Sequence, residues 1–137
     1  MKVVLDTNIL LVAIGKRSRY RPIWKAFNEG KYQLIISEEI IHEYEEILLQ
    51  RSAPGASEIV MQIFAESPDV IYKRIFYKWN AITADHDDDK FFDAAVAGGA
   101  DYLITNDGHF KEALTIDFPR INIISADEFL KILGIPT

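Results

Sequence analysis

Aspartates close two apolar runs that lie far apart in the chain. Val3-Val4-Leu5 leads straight into Asp6-Thr7-Asn8, and Tyr102-Leu103-Ile104 leads into Thr105-Asn106-Asp107. Between them Asp89, Phe92, Asp93, Val96 and Ala97 recur at helical spacing, which places Asp89 and Asp93 one turn apart on one side of a helix. Carboxylates gathered in one cleft repel one another and stay ionised together only when cations neutralise them. Magnesium or manganese suits such a set, because these hard ions take oxygen ligands, keep some water, and are held by one or two carboxylates plus substrate phosphate oxygens. A metal-bound water gives up a proton near neutral pH, and two ions about 4 Å apart hold the attacking and leaving oxygens of a phosphodiester displacement.

Other chemistries lack their apparatus. The chain has no cysteine, which excludes disulfides and thiolate metal sites. No two of its three histidines stand at zinc-ligand spacing, and there is no P-loop, no GxGxxG and no nucleophile elbow. Singly, each acid has an ordinary role: Asp87 and Asp88 as the cap region of the following helix, Asp93 as a solvated helix side chain, Asp107 as a turn residue. Their joint placement is what points to chemistry.

The elements that must position them alternate. Val3–Leu5, Gln33–Ile36, Tyr102–Ile104 and Ile121–Ile124 read as short buried strands, separated by helical segments. This pattern predicts an α/β fold with a parallel sheet, helices on both faces and right-handed crossovers. Ligands in such sheets sit beyond the carboxyl ends of the strands, so Asp6 and Asp107 face one another if their strands are neighbours. Asn8 or Thr7 is expected near the cap of the first helix, and Ser37 caps a helix running to about Arg51, with a core stripe of Ile40, Ile41, Tyr44, Ile47 and Leu48. Glu43 lies on the border of that stripe, where periodicity alone describes a wetted side chain. Residues 69–77 read as either a short helix or an irregular arm, whose aromatics Tyr72, Tyr77 and Trp79 either cover the core or serve a dimer interface. Ser125 to Glu128 forms a capping box.

At 137 residues the chain fits one domain, 1–137, and no apolar run is long enough to span a bilayer. Nothing at its start resembles a secretory signal, and the absence of cysteine suits a cytoplasmic protein. A net charge of −6 argues against a broad basic surface, although bound divalent cations would reverse the field in an acidic cleft. The one dense basic patch is Lys16, Arg17, Arg19 and Arg21, with Tyr20 among them: either a solvated loop or a phosphate contact beside the acids.

VVLDTN, SEEIIHEYEEIL and DDDKFFDAAVAGGADYLITND together resemble the PIN domain, the small nuclease fold of VapC-type toxins of toxin–antitoxin pairs, over nearly the whole chain. The resemblance implies a three-layer α/β/α fold with a mainly parallel sheet. It also implies a Mg2+- or Mn2+-dependent endoribonuclease acting on RNA, often homodimeric and neutralised by a small antitoxin. Carried onto this sequence, it makes Asp6, Glu43, Asp89 and Asp107 the acidic quartet. Asp6, Asp89 and Asp107 then hold the ion with Asp93 as an accessory acid, Glu43 binds it or positions water, and Thr7, Asn8 and Thr105 give support. Lys16, Arg17, Arg19 and Arg21 would track the phosphate backbone. Asp85, Asp87 and Asp88, crowded beside Asp89, depart from the family pattern. The rival readings are a non-catalytic PIN-fold module that binds RNA or protein, and a structure-specific DNA nuclease.

Overall fold

The structure is a computed structural model and describes residues 1–82 and 85–136. Strand β1 (Lys2–Leu5) connects through helices α1 (Thr7–Ala13) and α2 (Arg21–Asn28) to β2 (Gln33–Ile36). Helices α3 (Glu38–Arg51) and α4 (Ala56–Glu66) lead on to β3 (Val70–Tyr72). After an arm without regular secondary structure, residues 73–82, come a 3-10 turn (His86–Asp88) and α5 (Asp89–Gly98). Strand β4 (Tyr102–Ile104), a second 3-10 segment (Gly108–Thr115), β5 (Ile123–Ile124) and α6 (Ala126–Ile132) follow.

All strand pairs are parallel, in the order β3-β2-β1-β4-β5. From β1 the chain steps outward through β2 to β3, then returns past both to β4. With right-handed crossovers, α1 to α4 must cover one face and α5 the other. Ring contacts agree with this: Phe64 of α4 packs on Trp24 and Phe27 of α2 and on Tyr44 of α3, and Tyr32 packs on Phe129 of α6. On the opposite side Phe91 of α5 meets Phe110 of the second 3-10 segment. Both faces being covered, Val3, Val4 and Leu5 are all buried, which explains why this strand reads as an uninterrupted apolar run.

Residues 69–77 prove to be neither helix nor pure arm. Val70–Tyr72 adds a short parallel edge strand to β2, and the chain leaves the sheet once the Lys73 N–H has bonded the Ile36 carbonyl at 2.9 Å. Three residues, one of them exposed, give too brief a pattern to identify a strand without its partner. The first helix also differs from expectation: Asp6 takes the N-cap place but makes no side-chain cap bond, leaving its carboxylate for other partners.

Helix α5 lies very close to the sheet. A Cβ added to Gly98 would stand 2.7 Å from Cδ1 and 2.9 Å from Cγ2 of the buried Ile35. Gly98→Ala is therefore expected to destabilise the fold by about 1–3 kcal/mol through overpacking, partly offset by the better helix propensity of alanine. Urea denaturation measures it; a midpoint unchanged or raised would show that α5 has room to move off the sheet.

Candidate metal centre

The sheet order answers the condition on which the acids depend. β1 and β4 are neighbours, in register through Leu5 and Ile104, and the Asp6 N–H extends their ladder by donating to the Ile104 carbonyl at 3.0 Å. The chain goes one way from β1 and the other way from β4, so this is the switch point where open α/β sheets leave a crevice. Asp6, Asn8, Tyr20, Asn106 and Asp107 line that crevice.

Thr105 joins the two strand-end acids. Its hydroxyl donates to Asp6 Oδ2 at 2.7 Å and accepts the Asp107 N–H at 3.0 Å. Asp107 Oδ1 in turn accepts the His109 N–H at 2.9 Å, which starts the second 3-10 segment. Glu43 comes in from α3, whose register is pinned by the Tyr44 hydroxyl donating to the Leu5 carbonyl at 2.5 Å. The Thr7 hydroxyl donates to Glu43 Oε2, and Lys90 Nζ stands 3.1 Å from Oε1. Lys90, only 12 % exposed, is a cation the sequence reading passed over. Lysine is seldom buried unpaired, so its place beside Asp89 at the start of α5 was the available signal.

Asp88 is the unexpected member. It holds the N-cap place of α5 without capping it, its side chain is 14 % exposed, and its buried Oδ2 has no hydrogen-bond partner among the described residues. His109 Nδ1 lies 3.6 Å from that oxygen and 3.3 Å from Asp107 Oδ1. Asp85, Asp88 and His109 present ligand atoms within 4.8 Å of one another. Burial, with the charges of Asp6, Asp107 and Asp85, pushes the Asp88 carboxyl up to about 6 against the opposing pull of His109. Asp6 is likewise raised, by burial foremost, then by Asp107 and Glu43, with the Thr105 bond working the other way.

Asp89 and Asp93, expected among the ligands of an ion, have partners on the 73–82 arm and the 3-10 turn. Asp89 Oδ1 accepts the Ile82 N–H at 2.8 Å and its Oδ2 lies 2.8 Å from His86 Nδ1; Asp93 Oδ1 accepts the Trp79 N–H at 3.0 Å. Both carboxylates fasten the 73–82 arm to α5. Adjacent side chains on a helix point about 100° apart, so Asp88 and Asp89 meet different surroundings. Of the basic patch, Arg21 donates to the Ile14 carbonyl and Arg19 pairs with Asp127, while Lys16 and Arg17 stand exposed. Asn8 is exposed on the crevice wall.

The crowding of carboxylates makes a pH-dependent site. Between about pH 4, where an unfolded aspartate ionises, and about 6, the folded chain keeps protons on Asp88 that the unfolded chain releases, so stability falls as pH rises through that window. A divalent ion needs the deprotonated acids. Millimolar Mn2+ is thus expected to raise the melting temperature markedly at pH 7.5 and little at pH 5, measured by differential scanning fluorimetry. An equal shift at both pH values would place the ion away from these acids.

A family model described as PIN domain matches residues 2–109. The chain belongs to the PIN domain family. No curated protein matches it. Among solved structures it is similar to VapBC2 from Rickettsia felis, described as bound to a DNA fragment from its promoter, with TM-score 0.62 and 21 % identity, over 91 % of this chain and 98 % of that one. It is also similar to VapC20 of Mycobacterium tuberculosis, described as a sarcin-ricin loop cleaving toxin (TM-score 0.58, 13 % identity, 84 % and 97 % covered). The PIN domain of RRP44 from T. brucei is a third neighbour (TM-score 0.56, 12 % identity, 96 % and 80 % covered). At these identities the likeness establishes the fold.

Proposed function

We propose that this PIN domain is a Mg2+- or Mn2+-dependent endoribonuclease whose ion is held by Asp6, Asp88 and Asp107, with Glu43 binding it or holding the attacking water. The observation that carries this is the convergence of these acids at the β1/β4 crevice, with a buried Asp88 oxygen that has no hydrogen-bond partner among the described residues. An all-oxygen set of this kind fits a hard divalent cation. When bound, such an ion supplies an acidified water and stabilises charge on the phosphate.

The chain's own groups do the rest. Thr105 holds the Asp6 carboxylate by its hydroxyl bond and Asp107 through its backbone N–H, which ties the two strand-end acids together. Lys90 and Thr7 hold Glu43 from opposite oxygens and keep one negative charge in the cluster compensated. His109, beside Asp88 and Asp107, is placed to take or give a proton at the crevice. Lys16 and Arg17 are exposed and placed to meet phosphates of a bound strand, whereas Arg19 is paired with Asp127 of α6 and Arg21 is bonded to the Ile14 carbonyl.

The VapC neighbours support a toxin role for this chain, with an antitoxin as partner and RNA as substrate; a homodimer as the assembly and the cytoplasm as its place of action belong to the same proposal. No helix among the described residues is long and apolar enough to cross a membrane. The test is cleavage of single-stranded RNA, single-stranded DNA and a flap substrate side by side, with Mn2+ and with EDTA. Internal cleavage of the RNA alone, abolished by EDTA, is the expected outcome; cleavage confined to DNA or flaps, or none, would overturn the proposal.

A further inference from the structure

The 73–82 arm carries a second set of chemical groups that the acidic cleft does not use. Residues 70–82 hold Lys73, Arg74 and Lys78 and no acid, in a chain of net charge −6. The arm's aromatics are left in water: Phe76 is 87 % and Tyr77 64 % exposed, and Phe118 beside them is 81 % exposed. Tyr77 lies against Trp79 with ring centroids 4.5 Å apart, and Trp79 meets Phe118 edge-on at 6.2 Å. Trp79 is itself half-buried against the core, so it backs the platform while Tyr77 and Phe118 face outward. Lys73, Arg74, Phe76, Tyr77 and Trp79 line one groove, whose single carboxylate, Asp93, is buried and already accepts the Trp79 N–H.

Large aromatics left exposed cost free energy that burial would recover, and three of them interleaved with cations are the composition that stacks bases and neutralises phosphates. The arm is held rigid where it matters. Asp93 and Asp89 pin the Trp79 and Ile82 amides to α5, and Lys73 is pinned to β2. Asp93, which holds the arm, lies five residues along α5 from Asp88, about 7.5 Å of helix rise.

We propose that the arm is a single-stranded RNA platform: Tyr77, with Phe76 and Phe118, stacks bases, and Lys73 and Arg74 hold phosphates of the strand whose scissile bond enters the acidic crevice. This rests on the ribonuclease proposal for the identity of the ligand, but its test does not depend on cleavage. Lys78 is half-committed to Glu39 at 3.6 Å, with both side chains in solvent, and contributes less.

The probe is a 12-nucleotide uridine RNA titrated in EDTA, so that no ion is bound and no bond is cut. The chain has two tryptophans, and Trp24 is buried, so RNA-dependent quenching of intrinsic fluorescence reports on Trp79. Wild-type protein is expected to bind with quenching. Tyr77→Ala should weaken binding about tenfold, the loss of one stacked base. Lys73→Ala and Arg74→Ala should each lower the slope of log affinity against log salt by about 0.7. Analytical ultracentrifugation of the same variants tests a second copy of the chain as the occupant instead. Overturning results are no RNA binding, variants that bind as tightly as wild type, or a wild-type dimer that Tyr77→Ala dissociates with RNA affinity unchanged. Arm variants that bind RNA normally while cleavage persists would remove this proposal and leave the nuclease standing. Normal arm binding in a protein that never cleaves RNA would do the reverse.

Discussion

Asp6→Asn is expected to lower cleavage by a thousandfold or more while the protein stays folded. The carboxylate sits at the meeting point of β1 and β4, is buried, and is within the field of Asp107 and Glu43. Asparagine keeps an oxygen to accept the Thr105 hydroxyl but brings no charge to an ion. A metal contributes several kcal/mol to the stabilisation of charge in phosphodiester hydrolysis, and each 1.36 kcal/mol is tenfold in rate, which gives about three orders of magnitude. Removing the buried one of several mutually repelling charges relieves the metal-free fold, so the variant in EDTA is expected to melt no lower than wild type. Single-turnover cleavage and a thermal melt measure both halves. Full activity would remove Asp6 from the chemistry; a collapse of the melt would mean its role is in the fold.

The second large effect separates neighbours. Asp88→Asn is expected to cost at least about a hundredfold in cleavage, because its carboxylate lies within the field of Asp6 and Asp107 and its buried oxygen has no hydrogen-bond partner among the described residues. Asp89→Asn, whose carboxylate bonds the Ile82 amide and His86, is expected to cost about tenfold or less, through a looser arm. The Mn2+ concentration for half-maximal rate should rise in the Asp88 variant and stay put in the Asp89 variant. The opposite ranking would make Asp89 the ligand and Asp88 the cap of α5.

Most of the architecture could be read from the chain because its signals are local. The apolar runs that became β1, β2 and β4, Ser37 as a cap with its side chain accepting the Ile40 N–H, and the Ser125–Glu128 box all depend on neighbours in sequence. Strand β3 was not legible, since a three-residue edge strand is defined by the partner it bonds rather than by its own pattern. The site was legible by element and blurred by rotation. Strand ends fix where Asp6 and Asp107 emerge, whereas helical periodicity names a face of α5 without saying which of Asp88 and Asp89 begins it. Lys90 and His109 were missed because each is meaningful only through a contact across the fold, to Glu43 and to the Asp88–Asp107 pair.

Where a divalent ion sits is the most direct question to put to the protein. Crystals grown with Mn2+, with anomalous differences measured near its absorption edge, are expected to show a peak coordinated by Asp6, Asp88 and Asp107 at the β1/β4 crevice. A peak on Asp89 and Asp93 beneath the arm, or no peak within reach of Asp6 at millimolar Mn2+, would contradict it.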